Sequence, residues 1–242
     1  MAYNFDNIEV TYHSLSRTTF VTGKKFEFEK KDKVSASRAK DGFLFTMYGS
    51  SDEEVRGSSV EDMYQPVIDY GKALYPIKVK VSDEGVMLGV DNIEEVRKQW
   101  KEKAKEIDAS YGYSPVTMTM SRQYESVLND DTFFTETLPD DMMFRLLFWD
   151  EKRIEDPIVI SHFPHPYRMT SYFLERKGGE GKTAHYEAKK VTDEGSGNLV
   201  SGEARLDFVY APDGLPQEIK LWVKMEEKDT GYFFHEMIIN RI

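Results

Sequence analysis

Hydrophobic and polar positions alternate at period two near both ends of the chain and at helical spacing through its middle. Lys24-Lys25-Phe26-Glu27-Phe28-Glu29-Lys30-Lys31 places Phe26 and Phe28 on one face of a strand and charges on the other. Ile8–Tyr12 and Phe43–Tyr48 are rich in β-branched and aromatic residues, and Asp41-Gly42 is a turn signal, so residues 3–56 read as strands. Residues 156–242 read as an antiparallel meander, with strands near 158–163, 167–176, 183–191, 199–210, 217–227 and 232–240. Glycine-bearing turns at 177–181, 193–197, 211–214 and 228–231 separate them. Ala204, Leu206, Phe208 and Tyr210 share one face, as do Ile219, Leu221, Val223 and Met225, while Lys220, Trp222 and Lys224 point the other way. Such alternation marks one buried face and one wet face.

The middle block, 58–150, reads as helices with one hairpin inside it. Val60, Met63, Tyr64, Val67, Ile68 and Leu74 suit a helix, with Pro66 favouring a start near Gln65. Ile77–Val81 and Val86–Val90 form the hairpin around Ser82-Asp83-Glu84-Gly85. A longer helix follows, with Asp91 and Glu94 spaced as a capping box and an apolar stripe of Ile93, Val96, Trp100, Ala104 and Ile107. Glu94–Lys98 and Lys98–Glu102 fall on its wet side. Another helix opens at Pro115 with Val116, Met120, Tyr124, Val127 and Leu128 on one face, and short helical pieces cover 131–137 and 141–148. These three blocks predict a single α+β domain over 1–242, a curved antiparallel β-sheet packed on a central group of helices.

Composition narrows the function. The 242 residues carry 32 Lys and Arg against 43 Asp and Glu, a net charge of −11, and no cysteine. Disulfide scaffolds, thiolate metal sites and cysteine nucleophiles are excluded. The acidic balance argues against a nucleic-acid partner, because affinity for phosphate backbones comes from Lys and Arg. No apolar run reaches the roughly 20 residues of a membrane-spanning helix, and the first residues lack a signal peptide's basic and apolar regions, so a cytoplasmic setting is expected.

Lys177-Gly178-Gly179-Glu180-Gly181-Lys182-Thr183 matches the deviant Walker A pattern of partition-type ATPases. There, backbone N–H groups would cradle phosphates while Lys182 and Thr183 served phosphate and magnesium. Hairpin-like sequence follows the motif and Glu180 puts a negative charge in the cradle, so a glycine-rich turn is the expected reading. His162 and His165 form H-x-x-H between prolines, and His185 and His235 lie on predicted strands. A strand spacing of three sends two side chains to opposite faces, so no metal or other cofactor is expected. The carboxylate pairs Asp130-Asp131, Asp140-Asp141 and Glu226-Glu227 have no spacing that singles out an acid/base pair. Trp100, Tyr111, Tyr113 and Trp149 are candidates for lining a ligand groove, and Lys220, Trp222 and Lys224 for an interface.

Pro76-Ile77-Lys78-Val79-Lys80-Val81, Asp83-Glu84-Gly85, Val86–Val90 and the helix from Asn92-Ile93-Glu94-Glu95-Val96 to Trp100 resemble a pattern in uncharacterised bacterial proteins with LolA-like half-barrels. The resemblance implies a sheet drawn from both ends of the chain and wrapped around the middle helices. The sequence departs from the secreted members in having neither a signal peptide nor an anchoring cysteine.

The resulting expectation is a non-enzymatic bacterial protein that binds another protein as an adaptor, immunity-like partner or assembly component. The alternatives are a carrier holding an apolar small molecule between sheet and helices, and a hydrolase using Asp/Glu or His.

Overall fold

In the computed structural model the residues described are 5–20, 22–50, 52–57, 61–112, 115–129, 142–148, 158–160, 170–193, 199–228 and 231–242, excluding the side chains of 61–64, 67, 115, 116, 120, 123 and 127. Four strands come first: β1 (Ile8–Thr19), β2 (Lys25–Ala39), β3 (Gly42–Ser50) and β4 (Glu54–Gly57). Then follow α1 (Glu61–Lys72), the hairpin β5 (Ile77–Val81) and β6 (Met87–Val90), α2 (Ile93–Tyr111), α3 (Pro115–Asn129) and α4 (Met142–Leu147). The last strands are β7 (Ile158–Ile160), β8 (Thr170–Gly178), β9 (Thr183–Asp193), β10 (Leu199–Tyr210), β11 (Pro216–Glu227) and β12 (Gly231–Arg241).

All of these strands join one open, curved antiparallel sheet in the order β6-β5-β3-β2-β1-β12-β11-β10-β9-β8-β7, with β4 also paired to β2. Both ends of the chain therefore contribute to a single sheet. Its seam is the β1–β12 ladder, in register from Tyr12 opposite Arg241 to Thr19 opposite Phe234. The β2–β3 turn abuts β5 closely. Gly42 has φ +121°, and a Cβ there would stand 2.2 Å from the Val81 carbonyl oxygen, so only glycine fits.

One face of the sheet is covered. Phe45, Ile77, Val79, Leu206, Leu221, Val223 and Met225 are fully buried, and they belong to the same apolar cluster as Tyr70, Val96, Trp100, Ala104, Phe144 and Leu146 from the helices. No water-sized space touches these strand side chains, so the covered face is filled where they stand. The helices hold one another through aromatic rings. Tyr70 of α1, Trp100 of α2 and Tyr124 of α3 lie with centroids 6.0–6.3 Å apart. Phe148, just past α4, meets Phe45 of β3 edge-on at 4.9 Å. No helix among the described residues is long and apolar enough to cross a membrane.

Two local expectations change. The first helix starts at Glu61 and carries Pro66 inside it rather than at its opening. The second is capped differently. Its N-cap is Asn92, without a side-chain capping hydrogen bond, and Asp91 instead pairs with Lys80 at 2.7 Å. Glu94 pairs with Arg97 at 2.6 Å rather than closing a capping box.

The Asn92 amide is committed to the hairpin. Its Oδ1 accepts from Lys78 N at 2.8 Å, its Nδ2 donates to the Pro76 carbonyl at 3.0 Å, and the residue is buried. Asn92→Ala is expected to lower stability by about 2–4 kcal/mol, since two backbone groups lose their partners. Asn92→Asp, which keeps the acceptor, should fall in between. Urea unfolding midpoints, at unchanged m-value, measure the difference.

Candidate functional site

The wet face carries a row of side chains that crosses the sheet from β9 to β4. Register places Glu187, Arg205, Trp222, Glu236, Arg17, Glu27 and Arg56 side by side. Their charges alternate, and Arg17 reaches Glu27 at 2.8 Å and Glu236 at 3.6 Å, while Arg56 reaches Glu27 at 3.1 Å. The Arg17 hydrogen bond holds the Glu27 carboxyl below the usual carboxylate range. Cross-strand pairs of this kind are worth roughly 0.2–1 kcal/mol each.

Trp222 interrupts the alternation. Its ring meets Phe234 edge-on at 5.0 Å, and the Arg205 guanidinium lies 5.4 Å from its centroid. Lys224 sits 4.7 Å from the Tyr232 centroid. Tyr232 is 54% exposed and Phe234 37%, so the cluster is an aromatic ledge open to solvent on a face where charges otherwise dominate. Of the interface triad expected from sequence, Trp222 and Lys224 belong to this ledge, and Lys220 lies further along β11, paired with Glu218 at 2.9 Å.

The groove candidates are not brought together in the same way. Trp100 is buried among Tyr70 and Tyr124, with its indole Nε1 unpartnered among the described residues. Tyr111 donates to Asp69 at 2.6 Å, which raises its pKa to about 12. Tyr113 and Trp149 lie outside the described residues.

A second polar feature, which the sequence reading missed, crosses the covered face. Ser14, Ser16 and Thr18 alternate along β1 toward the helices, and His235 of β12 meets two of them. Its Nδ1 is 2.9 Å from Thr18 Oγ1 and its Nε2 is 3.2 Å from Ser16 Oγ. Ser14 Oγ is buried without a hydrogen-bond partner among the described residues. On β2 the face that begins with Phe26 and Phe28 continues into Lys30 and Asp32, so Lys30 shares the aromatic side instead of the opposite one. Lys30 pairs with Asp32 at 3.0 Å, and beside them Glu53 pairs with Lys72 of α1 at 2.9 Å. Burial pushes the Glu53 carboxyl up and pushes His235 down to about 4. The detectable signal was hydroxyls at period two on β1, in phase with Val10 and Tyr12.

The glycine-rich motif is the β8–β9 turn, with a strand and not a helix after it. Thr183 Oγ1 donates to the Glu180 carbonyl and accepts from Glu180 N, both at 3.1 Å, which pins the turn. His185 is bracketed by Asp207 at 2.5 Å on Nδ1 and Glu187 at 3.3 Å on Nε2; the Asp207 bond raises its pKa against a smaller desolvation. No group of three or more His, Asp or Glu that could hold a metal occurs among the described residues. His162 and His165, with the pairs Asp130-Asp131 and Asp140-Asp141, lie outside them.

No family model and no curated protein matches the chain. Among solved structures it is similar to lipovitellin, in a structure described as lipid–protein interactions in lipovitellin, with a TM-score of 0.44 and 9% identity. The match covers 99% of this chain and 25% of that one, so the chain spans about a quarter of that protein's length. A likeness at this level carries no argument about function.

Two outcomes are expected from this geometry. Gly179 has φ +110°, and a Cβ there would stand 2.4 Å from the Thr183 carbonyl oxygen. Gly179→Ala should therefore cost about 1–3 kcal/mol in thermal unfolding, whereas Lys182→Ala should leave both stability and nucleotide titrations unchanged. The second concerns acid. His235 binds its proton near 6.5 when unfolded but only near 4 when folded, so its share of stability is present above about pH 6.5 and lost as pH falls toward 4. That loss is about 3 kcal/mol in full. Glu53 has the opposite sign: its raised pKa favours the fold at low pH, and that contribution is lost as pH rises through the folded value. Urea midpoints between pH 7 and 4.5 should fall more steeply for the native chain than for His235→Gln.

Proposed function

We propose that this chain is a non-enzymatic binding protein that engages another protein through the wet face around Trp222, as an adaptor or assembly component. The observation that supports this is the ledge of half-buried Trp222 with exposed Phe234 and Tyr232 on a sheet face otherwise laced with charge. Exposed aromatics gathered in one patch are the feature that separates an interface from ordinary surface. Trp, Tyr and Arg are also the residues on which binding energy concentrates.

A second reading, a carrier for an apolar small molecule, draws on a different feature. Phe26 and Phe28 on the covered face are only half-buried, Phe20 nearby is 44% exposed, and the hydroxyls of Ser16 and Thr18 adjoin them. An apolar surface with a few polar groups is the usual composition of a ligand site. Against it stands the filling of the same face by Leu221, Val223 and Met225, which a bound molecule would have to displace.

Native mass spectrometry of the chain purified from its own cells distinguishes the two. The first reading expects a stoichiometric second polypeptide that is lost from Trp222→Ala and Phe234→Ser, with circular dichroism and unfolding midpoint essentially unchanged. A bare monomer, or a polypeptide retained by both variants, counts against it. The carrier reading expects a small apolar mass insensitive to Trp222→Ala.

A further inference from the structure

We propose that His185, acting through Glu187, sets whether the Arg205 guanidinium rests on Trp222, so that protonation of one half-buried histidine covers or bares the aromatic ledge. This rests on the reading of the Trp222 face as the binding surface and names how that surface is regulated.

An imidazole and a guanidinium converge on one carboxylate oxygen. Glu187 Oε1 lies 3.3 Å from His185 Nε2 and 3.9 Å from Arg205 Nε. Arg205 stands between Glu187 and Trp222 in the same cross-strand row, with its guanidinium 5.4 Å from the Trp222 centroid. A separation of 3.9 Å makes an ion pair but no hydrogen bond. Arg205 is thus divided between a carboxylate it does not quite reach and a ring that takes up part of its charge.

The proton on His185 decides which neighbour holds Glu187. An imidazolium has two N–H donors, and here Nδ1 meets Asp207 at 2.5 Å while Nε2 meets Glu187. When one proton leaves, the shorter Asp207 contact keeps the other, and Nε2 turns a lone pair toward Glu187 Oε1. Lone pair and carboxylate repel each other, and Arg205 Nε is the charge-assisted donor nearest to hand. Glu187 moves to Arg205, and the guanidinium leaves the indole to meet it. Exposed pairs of this kind are weak, which makes them easy to repartition.

The other charges around His185 have partners of their own. Glu175 of β8, opposite Glu187, pairs with Lys189 and, at 3.5 Å, with Lys177. Lys220 of β11, opposite Asp207, pairs with Glu218 at 2.9 Å, and the β8 residue opposite His185 itself is Gly178. The Asp207 hydrogen bond raises the His185 pKa above its ordinary 6.5 against a smaller desolvation, and Glu187 adds to the rise. The exchange therefore falls near neutral pH, with the ledge covered by Arg205 on the acid side and bared as pH rises.

The test is a titration of the isotope-labelled full chain from about pH 5.5 to 8.5 by NMR, a range that brackets imidazole ionisation. Imidazole, Arg Nε–H and indole N–H signals are assigned by their loss in His185→Gln, Arg205→Lys and Trp222→Phe. His185 is expected to titrate with a midpoint above 6.5. The Arg205 and Trp222 signals should shift with that same midpoint, Arg205 Nε–H moving downfield as pH rises. Glu187→Gln should abolish both shifts while His185 still titrates. His13→Gln, which removes the imidazole paired with Glu29 at 2.6 Å on the same face, should leave them unchanged. A Trp222 signal that still titrates in His185→Gln, or one that stays still while His185 titrates, overturns the coupling. Either result leaves the interface reading standing, because that reading is judged by a bound polypeptide and the coupling by the free chain. Coupled titration in a chain that carries no polypeptide in native mass spectrometry upholds the coupling and overturns the interface reading alone.

Discussion

The β1–β12 ladder is the constraint on which everything else rests, because it joins strands from opposite ends of the chain over eight residue pairs that no local turn could supply. Without it β1 and β12 would each be an open edge, a row of unpaired N–H and C=O groups in the middle of what is now one sheet. The pairing is non-local and costs loop-closure entropy, but that cost grows only slowly with the length of chain between the strands. Contacts beyond the ladder reinforce it. Tyr12 donates its phenol to the Pro216 carbonyl at 3.1 Å, and Ile242 N donates to Thr11 O at 2.9 Å. Both polar features straddle this seam: His235 meets Ser16 and Thr18 across it on one face, and Glu236 meets Arg17 across it on the other.

What was legible in the sequence was whatever one-sided burial imprints at short range. β10 runs over the residues its alternation marks, and Ala204, Leu206, Phe208 and Tyr210 are all buried. The stripe of α2 buries Val96, Trp100 and Ala104 for the same reason. What was not legible depends on partners far along the chain. The capping box at Asp91 and Glu94 is sound as local chemistry, but tertiary structure gives Asp91 to Lys80 and the Asn92 amide to Lys78 and Pro76. Trp100 reads more readily as a core residue on the α2 stripe than as a groove wall, and Tyr70 and Tyr124 flank it in the core. The seam of hydroxyls stayed hidden because Ser and Thr in a strand carry little hydropathy signal, and only the opposite strand's His235 turns them into a network.

The net charge of −11 takes on structure in the same way. Carboxylates in excess are spread along the wet face, where they pair with arginines in a row that crosses the sheet and stiffens it. Other cations rest on aromatic rings: Lys33 over Tyr48, Arg38 over Phe43, Lys190 over Phe173, Arg205 over Trp222 and Lys224 over Tyr232.

The two faces are also mechanically one object. Phe233, Phe234, His235 and Glu236 are consecutive on β12, so their side chains alternate between the covered and wet faces. Phe233 and His235 are buried, whereas Phe234 and Glu236 belong to the ledge and the charged row. A shift of β12 that relieved a protonated His235 would carry Phe234 away from Trp222, since a strand cannot move one face without the other. The hydrogen bonds of His235 to Thr18 and Ser16 add to the backbone ladders that β12 makes with β1 and β11, and those ladders set where Phe234 stands beside Trp222.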